Sequence, residues 1–160
     1  MKFFDICCGI GGISKGFKKA GLEELGGIDS DIDAIKINNL SGGKGVVKSV
    51  FDLCASDIVE ADIIAAGFPC QPFSSSGNRT GNLHPSGNII EKIISLVRLA
   101  NNKVLVLENV QGIFSNKNGH TFALILSMLN DAGYDVAWKL VSSLQYGVLQ
   151  ERKRVLIVAL

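Results

Sequence analysis

The residue best placed for chemistry is Cys70, which stands between two prolines in the segment 67–74 (GFPCQPFS). This segment follows the short apolar run 63–66, which is typical of a buried strand. Pro69 and Pro72 fix their own φ angles and bias the preceding residues toward extended shapes, so the thiol is held on a stiff turn. Ligands and chemistry collect at such strand ends in open α/β sheets. The alternative is a half-buried structural cysteine, which is the commoner case.

A second group of residues is suited to binding a cofactor. Gly9, Gly11 and Gly12 follow an apolar segment and precede a helical pattern, so the backbone can approach a ligand closely at a helix N-terminus. The spacing is not the dinucleotide fingerprint, because Ser14 stands where the third glycine should be. Asp29 ends the next predicted strand, where a carboxylate can bind ribose hydroxyls. Together these residues predict a nucleoside-containing cofactor, although a tight turn followed by a capping aspartate would give the same pattern.

Two further charged features could take part in a reaction. Glu108 follows a buried strand pattern, where a protonated carboxyl could donate a hydrogen bond to a ring nitrogen. The segment 150–154 (QERKR) could bind phosphate. Each also has a plain structural explanation, as a surface carboxylate and as a solvated turn.

Composition limits the class of protein. The chain has 160 residues, of which 47% are hydrophobic, so we expect one globular domain over residues 1–160. The four cysteines form no C-x-x-C pair and no zinc pattern, which indicates reduced thiols, a cytoplasmic protein and no metal site. No apolar run is long enough for a membrane span. The net charge of +1 gives no electrostatic case for nucleic-acid binding by this chain alone.

Strand and helix patterns alternate along the chain. Strands are predicted at 2–7, 22–28, 46–50, 61–66, 103–107, 134–142 and 155–160, and helices at 13–20, 32–40, 89–100 and 121–132. Asp31 is the expected N-cap of the second helix. Continuous apolar strands indicate a mostly parallel sheet covered by helices on both faces. In such a sheet the glycines, Asp29, Cys70 and Glu108 would meet at one edge.

These motifs, in this order, resemble those of the cytosine-5 DNA methyltransferases. The resemblance covers nearly the whole chain and is carried by the segments 4–12, 67–74, 108–110 and 146–154. The Pro-Cys-Gln motif followed downstream by Glu-Asn-Val is highly specific, whereas the glycine motif alone is weak. The resemblance implies a Rossmann-like, S-adenosylmethionine-dependent methyltransferase fold.

The resemblance also implies site residues. Cys70 would be the nucleophile, Glu108 would contact N3 of the cytosine, and Arg152 and Arg154 would lie beside the target base. The remaining assignments are cofactor contacts at Cys7, Gly9, Gly11, Gly12, Asp29, Ser30, Asp52, Leu53, Gly67 and Pro69, and substrate contacts at Phe68, Gln71, Ser74 and Asn109.

The implied reaction explains these residue types. Attack of a thiolate on C6 of cytosine converts the ring to an enamine, which can accept a methyl group at C5. The target base must be flipped out of the DNA duplex to reach the thiol. The polar segment 74–88 would then close over it.

The chain also departs from the family pattern. Cys7 stands at the usual phenylalanine of the glycine motif, and Ser30 stands where an aromatic residue often follows the ribose-binding acid. Adenine stacking would therefore pass to Ile32 or be weak. In addition, Leu149 replaces a common proline, and 83–87 (LHPSG) lacks the usual arginine.

Family members continue into a target-recognition domain and a closing segment. We therefore expect residues 1–160 to be an incomplete catalytic domain that needs a missing segment or a partner chain to act on DNA, within a restriction-modification system. Two alternatives stay open at this point. One is cytosine-5 methylation of tRNA, and the other is a non-catalytic module that binds a cofactor or a partner.

Overall fold

A computed structural model describes residues 1–69, 89–101 and 104–160 of the chain. Within them the strands are Lys2–Ile6 (β1), Glu23–Asp29 (β2), Gly45–Val47 (β3), Ile63–Ala66 (β4), Val104–Val110 (β5), Val136–Ser142 (β6) and Lys153–Ala159 (β7). The α-helices are Gly12–Lys19 (α1), Ile32–Leu40 (α2), Ile89–Ala100 (α3) and His120–Asp131 (α4). None of the helices in these residues is long and apolar enough to cross a membrane.

The strands form one seven-stranded sheet in the order β3-β2-β1-β4-β5-β7-β6. The pairs β1–β2, β2–β3, β1–β4 and β4–β5 are parallel, which confirms the predicted mostly parallel α/β architecture. The strand β7 runs antiparallel to both of its neighbours, β5 and β6. The sequence pattern gave no sign of this reversal, because an apolar run has no direction.

Two strand boundaries differ from prediction in ways that affect the site. β3 ends at Val47 because Ser49 caps a short 3-10 helix at Val50–Asp52, accepting a hydrogen bond from the Phe51 N–H. β5 continues through Val110 because its pairing with β7 extends to Arg154. Glu108 therefore lies within a strand and not in the loop after it.

The sheet is covered on both faces. Alternation along β1 sends Phe3 toward one face, where its ring meets Phe17 of α1 edge to face at a centroid distance of 5.2 Å. Ile6 points to the opposite face and belongs to the main apolar core, together with buried residues of α3 and α4 such as Ile93 and Ile125. The N-terminus of α2 is capped as predicted, since Asp31 Oδ1 accepts the N–H of Asp33 at 2.9 Å.

Asp5 is a buried acid on the α1 side of β1, with no exposed surface. Ser14 Oγ donates a hydrogen bond to Asp5 Oδ2 at 2.8 Å, while Oδ1 has no hydrogen-bond partner among the described residues. Burial raises the pKa of the Asp5 carboxyl to about 7, although the Ser14 hydrogen bond acts in the opposite direction. Asp5 thus ties β1 to α1 on either side of the glycine loop.

We expect this buried acid to make stability depend on pH. Because its pKa is raised on folding, the native state binds the extra proton, and the free energy of unfolding falls as pH rises from the ordinary carboxyl range to about 7. Asp5→Asn removes this titration but keeps the shape of the side chain. At about 1.4 kcal/mol per pKa unit, wild type should lose a few kcal/mol relative to the variant across this range. Urea unfolding of both proteins at several pH values measures this loss, and parallel pH profiles would contradict it.

Candidate cofactor and catalytic site

The strand order places a crevice at the carboxyl ends of β1 and β4. From β1 the chain proceeds outward through β2 and β3 on one side, and through β4 and β5 on the other. Loops leaving the two central strands therefore turn in opposite directions, and the gap between them is where open α/β sheets bind ligands. Cys7 and Gly9 follow β1, and Gly67 and Pro69 follow β4.

A cavity of about 500 Å³ occupies this crevice, within the size range of small-molecule sites. The loops after four parallel strands and the start of α3 contribute its wall. The lining residues are Cys7, Ile28, Asp29, Ser30, Lys48, Ser49, Val50, Phe51, Gly67, Pro69 and Ile89. The segments that follow β1, β2 and β4 therefore meet at one edge of the sheet, while the predicted place of Cys70 beside them stays a prediction because Cys70 lies outside the described residues.

Asp29 lines the cavity and joins the glycine loop to the segment that begins α2. Its Oδ2 accepts the Gly9 N–H at 2.8 Å, and its Oδ1 accepts the Asp31 N–H at 2.9 Å. An ionised carboxylate has about four acceptor positions, so each oxygen retains capacity for a ligand hydroxyl. Asp29 can therefore hold the glycine loop and bind a diol with the same group.

The glycine loop is supported from below by Asn38 of α2, a buried residue. Asn38 Nδ2 donates to the Gly9 carbonyl at 3.3 Å and contacts Cys8 Sγ at 3.4 Å. A Cβ at Gly11, whose φ is 84°, would lie 3.1 Å from the same nitrogen. Sequence reasoning missed Asn38, because nothing in the sequence distinguishes it from Asn39 beside it.

Cys7 brings a neutral thiol to the cavity. Its φ of 57° is in the left-handed region, which residues other than glycine rarely adopt, so the loop holds it in a strained conformation. Burial raises the pKa of the Cys7 thiol to about 12, and the negative charges of Asp29 and Asp5 add to this effect. Cys7 therefore lines the cavity as a protonated thiol near neutral pH.

Glu108 and Arg154 form an ion pair beside this cavity. Arg154 Nε lies 2.6 Å from Glu108 Oε1, and both side chains are largely buried. The antiparallel pairing of β5 with β7 brings them together. Arg154 is opposite Val110, which lies two residues after Glu108 and therefore on the same face of the sheet. A Cβ at Gly67 would lie 3.7 Å from Glu108 Oε2 and 3.6 Å from the Cys7 carbonyl oxygen. The ion pair therefore adjoins the cavity at Gly67, three residues before Cys70 in the sequence.

Asn109 fixes the backbone that leads toward Cys70. It is buried, and its Nδ2 donates to the Phe68 carbonyl at 3.0 Å. Its Oδ1 accepts the N–H of Val110 at 2.8 Å. The Phe68 side chain is itself buried in the core, so any contact that Phe68 makes with a substrate would come from its backbone.

Other predicted site residues lie elsewhere. Arg152 is exposed and lines a second cavity of about 530 Å³, together with Arg154, Glu151 and the loop after β5. Gly9, Gly11, Gly12 and Asp52 do not line the first cavity, and Leu53 is 1% exposed within the core. Cys70, Gln71 and Ser74 lie outside the described residues, as does the segment 74–88.

The comparison with protein families agrees with this geometry. A family model described as C-5 cytosine-specific DNA methylase matches residues 1–160. The chain therefore belongs to the C-5 cytosine-specific DNA methylase family.

Individual relatives match over part of their own length. The type II methyltransferase M.BsuFI of Bacillus subtilis is 34% identical over 158 residues, which cover 99% of this chain and 39% of that protein. M.HaeII of Haemophilus aegyptius, also a type II methyltransferase, is 35% identical, with 98% and 49% covered. The crystal structure of the Dnmt2 methyltransferase of S. pombe superposes with a TM-score of 0.81 at 25% identity, covering 99% of this chain and 50% of that one. The chain thus spans half or less of the length of these relatives.

Adjacent glycines provide a first test of the loop geometry. Gly11→Ala should lower the free energy of unfolding by about 1–2 kcal/mol, because its φ is 84° and the new Cβ would press on Asn38. Gly12→Ala is the matched control, since a Cβ there meets no heavy atom within 4 Å; we expect a change within about 0.5 kcal/mol. Chemical denaturation of both variants gives the comparison. Equal losses would show that the left-handed turn is not a constraint.

The amide of Asn109 gives a second test. Asn109→Ala leaves the buried Phe68 carbonyl without this donor, so we expect a loss of about 1–3 kcal/mol in unfolding free energy. Asn130→Ala removes an exposed amide from α4 and should change stability by less than about 0.5 kcal/mol. Urea denaturation measures the free energy of unfolding of both variants. A negligible loss in Asn109→Ala would show that Asn109 does not stabilise the segment that contains Phe68.

Proposed function

We propose that this chain carries the catalytic residues of a DNA cytosine-5 methyltransferase. The observation that carries the proposal is the proximity of the Glu108–Arg154 ion pair to Gly67, which lines the same cavity as Cys7 and Asp29: a Cβ added at Gly67 would lie 3.7 Å from Glu108 Oε2. A cofactor cavity and a charged group able to hold a base are thus neighbours at one sheet edge. Membership of the C-5 cytosine-specific DNA methylase family supplies the chemistry that such a pair would perform.

The cavity suits S-adenosylmethionine. Asp29 has acceptor capacity for ribose hydroxyls, and the volume of about 500 Å³ fits a nucleoside with an amino-acid tail. Cys7, Ser30, Gly67 and Pro69 would line the cofactor, while Gly9, Gly11 and Gly12 would shape the turn beneath it. When bound, this cofactor supplies an electrophilic methyl group.

The base would be held and activated by the remaining residues. Cys70 would attack C6 of the flipped cytosine as a thiolate, which raises electron density at C5. Arg154 is paired with Glu108 Oε1, and Oε2 lies on the Gly67 side, from where the Glu108 side chain could contact N3 of the base. Asn109 would hold the backbone before Cys70, and Arg152 would contribute positive charge beside the base.

Sequence recognition on DNA would come from a further segment of the protein or from a partner chain. Two observations favour this division. The chain covers 39% and 49% of the type II relatives M.BsuFI and M.HaeII, and its net charge is only +1. A surface with so little net charge would neutralise few phosphates by itself. Because the relatives are type II methyltransferases, we propose that this chain acts in a restriction-modification system.

Covalent trapping tests the proposal. DNA containing 5-fluorocytosine should form a stable adduct with the protein in the presence of cofactor, because fluorine at C5 cannot leave as the proton does. The chain would be assayed with the complementing segment of a type II relative, and Cys70→Ser serves as the control. Equal trapping by wild type and Cys70→Ser would refute the proposed nucleophile.

The same assay distinguishes the alternatives. Competition by tRNA in preference to duplex DNA would assign the activity to RNA. Cofactor binding without trapping under any complementation would indicate a non-catalytic binding module. Preferential trapping on DNA supports the function proposed here.

A further inference from the structure

The cofactor cavity contains one aromatic side chain, and it belongs to a residue that neither motif spacing nor resemblance had indicated. Phe51 is the single aromatic residue among those that line the cavity in the described part of the chain. It is 44% exposed, so its side chain is accessible from solvent. Among the described residues its ring stacks on no other aromatic ring.

Phe51 is held firmly in this exposed position. It lies in the middle of the 3-10 helix at Val50–Asp52, and its N–H is bound by Ser49 Oγ at 3.2 Å. The flanking residues Val50 and Leu53 are 6% and 1% exposed and anchor the turn in the core. The ring is therefore presented to the cavity by a fixed backbone, so little conformational entropy would be lost on binding.

The wall that carries Phe51 is also joined to Asp29. The Lys48 N–H donates to the Asp29 carbonyl at 3.0 Å, which continues the pairing of β2 with β3 up to the start of this turn. The proposed ribose-binding carboxylate and the aromatic ring thus lie on connected strands of one cavity. If Asp29 holds the ribose of the cofactor, the adenine attached to that ribose would lie in the same cavity, beside the turn that carries Phe51.

We propose that Phe51 supplies the stacking surface for the adenine ring of the cofactor, an inference that rests on the proposed function. The positions from which an aromatic contact is expected carry Cys7 and Ser30, neither of which can stack. Ile32, the substitute expected from the sequence, is 56% exposed on α2 and does not line the cavity. Phe51 takes over this task from a different strand end.

Affinity for S-adenosylhomocysteine, measured by calorimetry on the 160-residue chain, provides the test. Phe51→Ala should weaken binding by about tenfold to a hundredfold, since stacking of a base on an aromatic ring is lost. Phe51→Leu keeps an apolar side chain but not the aromatic ring, so its affinity should lie between those of wild type and Phe51→Ala. Ile32→Ala is the matched control, because it also removes an exposed apolar side chain from this edge of the sheet, and it should bind like wild type.

A spectroscopic signature separates stacking from a structural role. Phe51→Trp places an indole at the cavity, and its fluorescence should be quenched when the adenine stacks on it. Wild type is the control, since its one tryptophan, Trp138, lies on β6 at the opposite edge of the sheet and packs on Phe114 and Phe122. The thermal unfolding midpoint of each variant without ligand should shift little, because Phe51 is exposed.

The outcomes are distinguishable. If wild type binds the ligand and Phe51→Ala binds it equally, the inference about Phe51 is wrong and the proposed function stands. If Ile32→Ala alone loses affinity, stacking belongs to Ile32 and the inference is again overturned. If wild type does not bind the ligand, the proposed cofactor fails, and the role of Phe51 fails with it.

Discussion

The reversal of strand order at β1 is the constraint from which the rest of this site follows. The strands β1 and β4 are neighbours and run parallel, but the loops that follow them turn in opposite directions. A gap therefore remains between these two loops. Cys7 lines this gap on one side, and Gly67 and Pro69 line it on the other. Residues from distant parts of the sequence meet there because the carboxyl ends of parallel strands lie at the same edge of the sheet.

Two buried amides keep both edges in place. Asn38 bonds to the glycine loop after β1, and Asn109 bonds to the Phe68 carbonyl after β4. Each offers a donor to a carbonyl that a loop would otherwise leave unpaired in a region shielded from water, where an unmade hydrogen bond is costly. The two strand ends that matter most are therefore positioned by side chains that do not line the cavity themselves.

The sequence predicted the mostly parallel sheet, the α2 cap and the meeting of several strand ends at one edge, because these depend on local patterns and on the geometry of parallel sheets. It could not predict the Arg154 partner of Glu108, because that contact depends on the direction of β7. The core position of Leu53 was equally hidden, since a sequence motif does not say whether the side chain or the backbone meets a ligand.

The raised pKa of Cys7 has a consequence for an enzyme proposed to handle a methyl sulfonium. A thiolate placed in line with the methyl group of such a donor would be a competing nucleophile, and Cys7 lines the cavity proposed for it. With its pKa raised to about 12, chiefly by burial, the Cys7 thiol stays protonated near neutral pH. Burial, assisted by the negative charges of Asp29 and Asp5, would thus keep Cys7 from competing for the methyl group of the proposed cofactor.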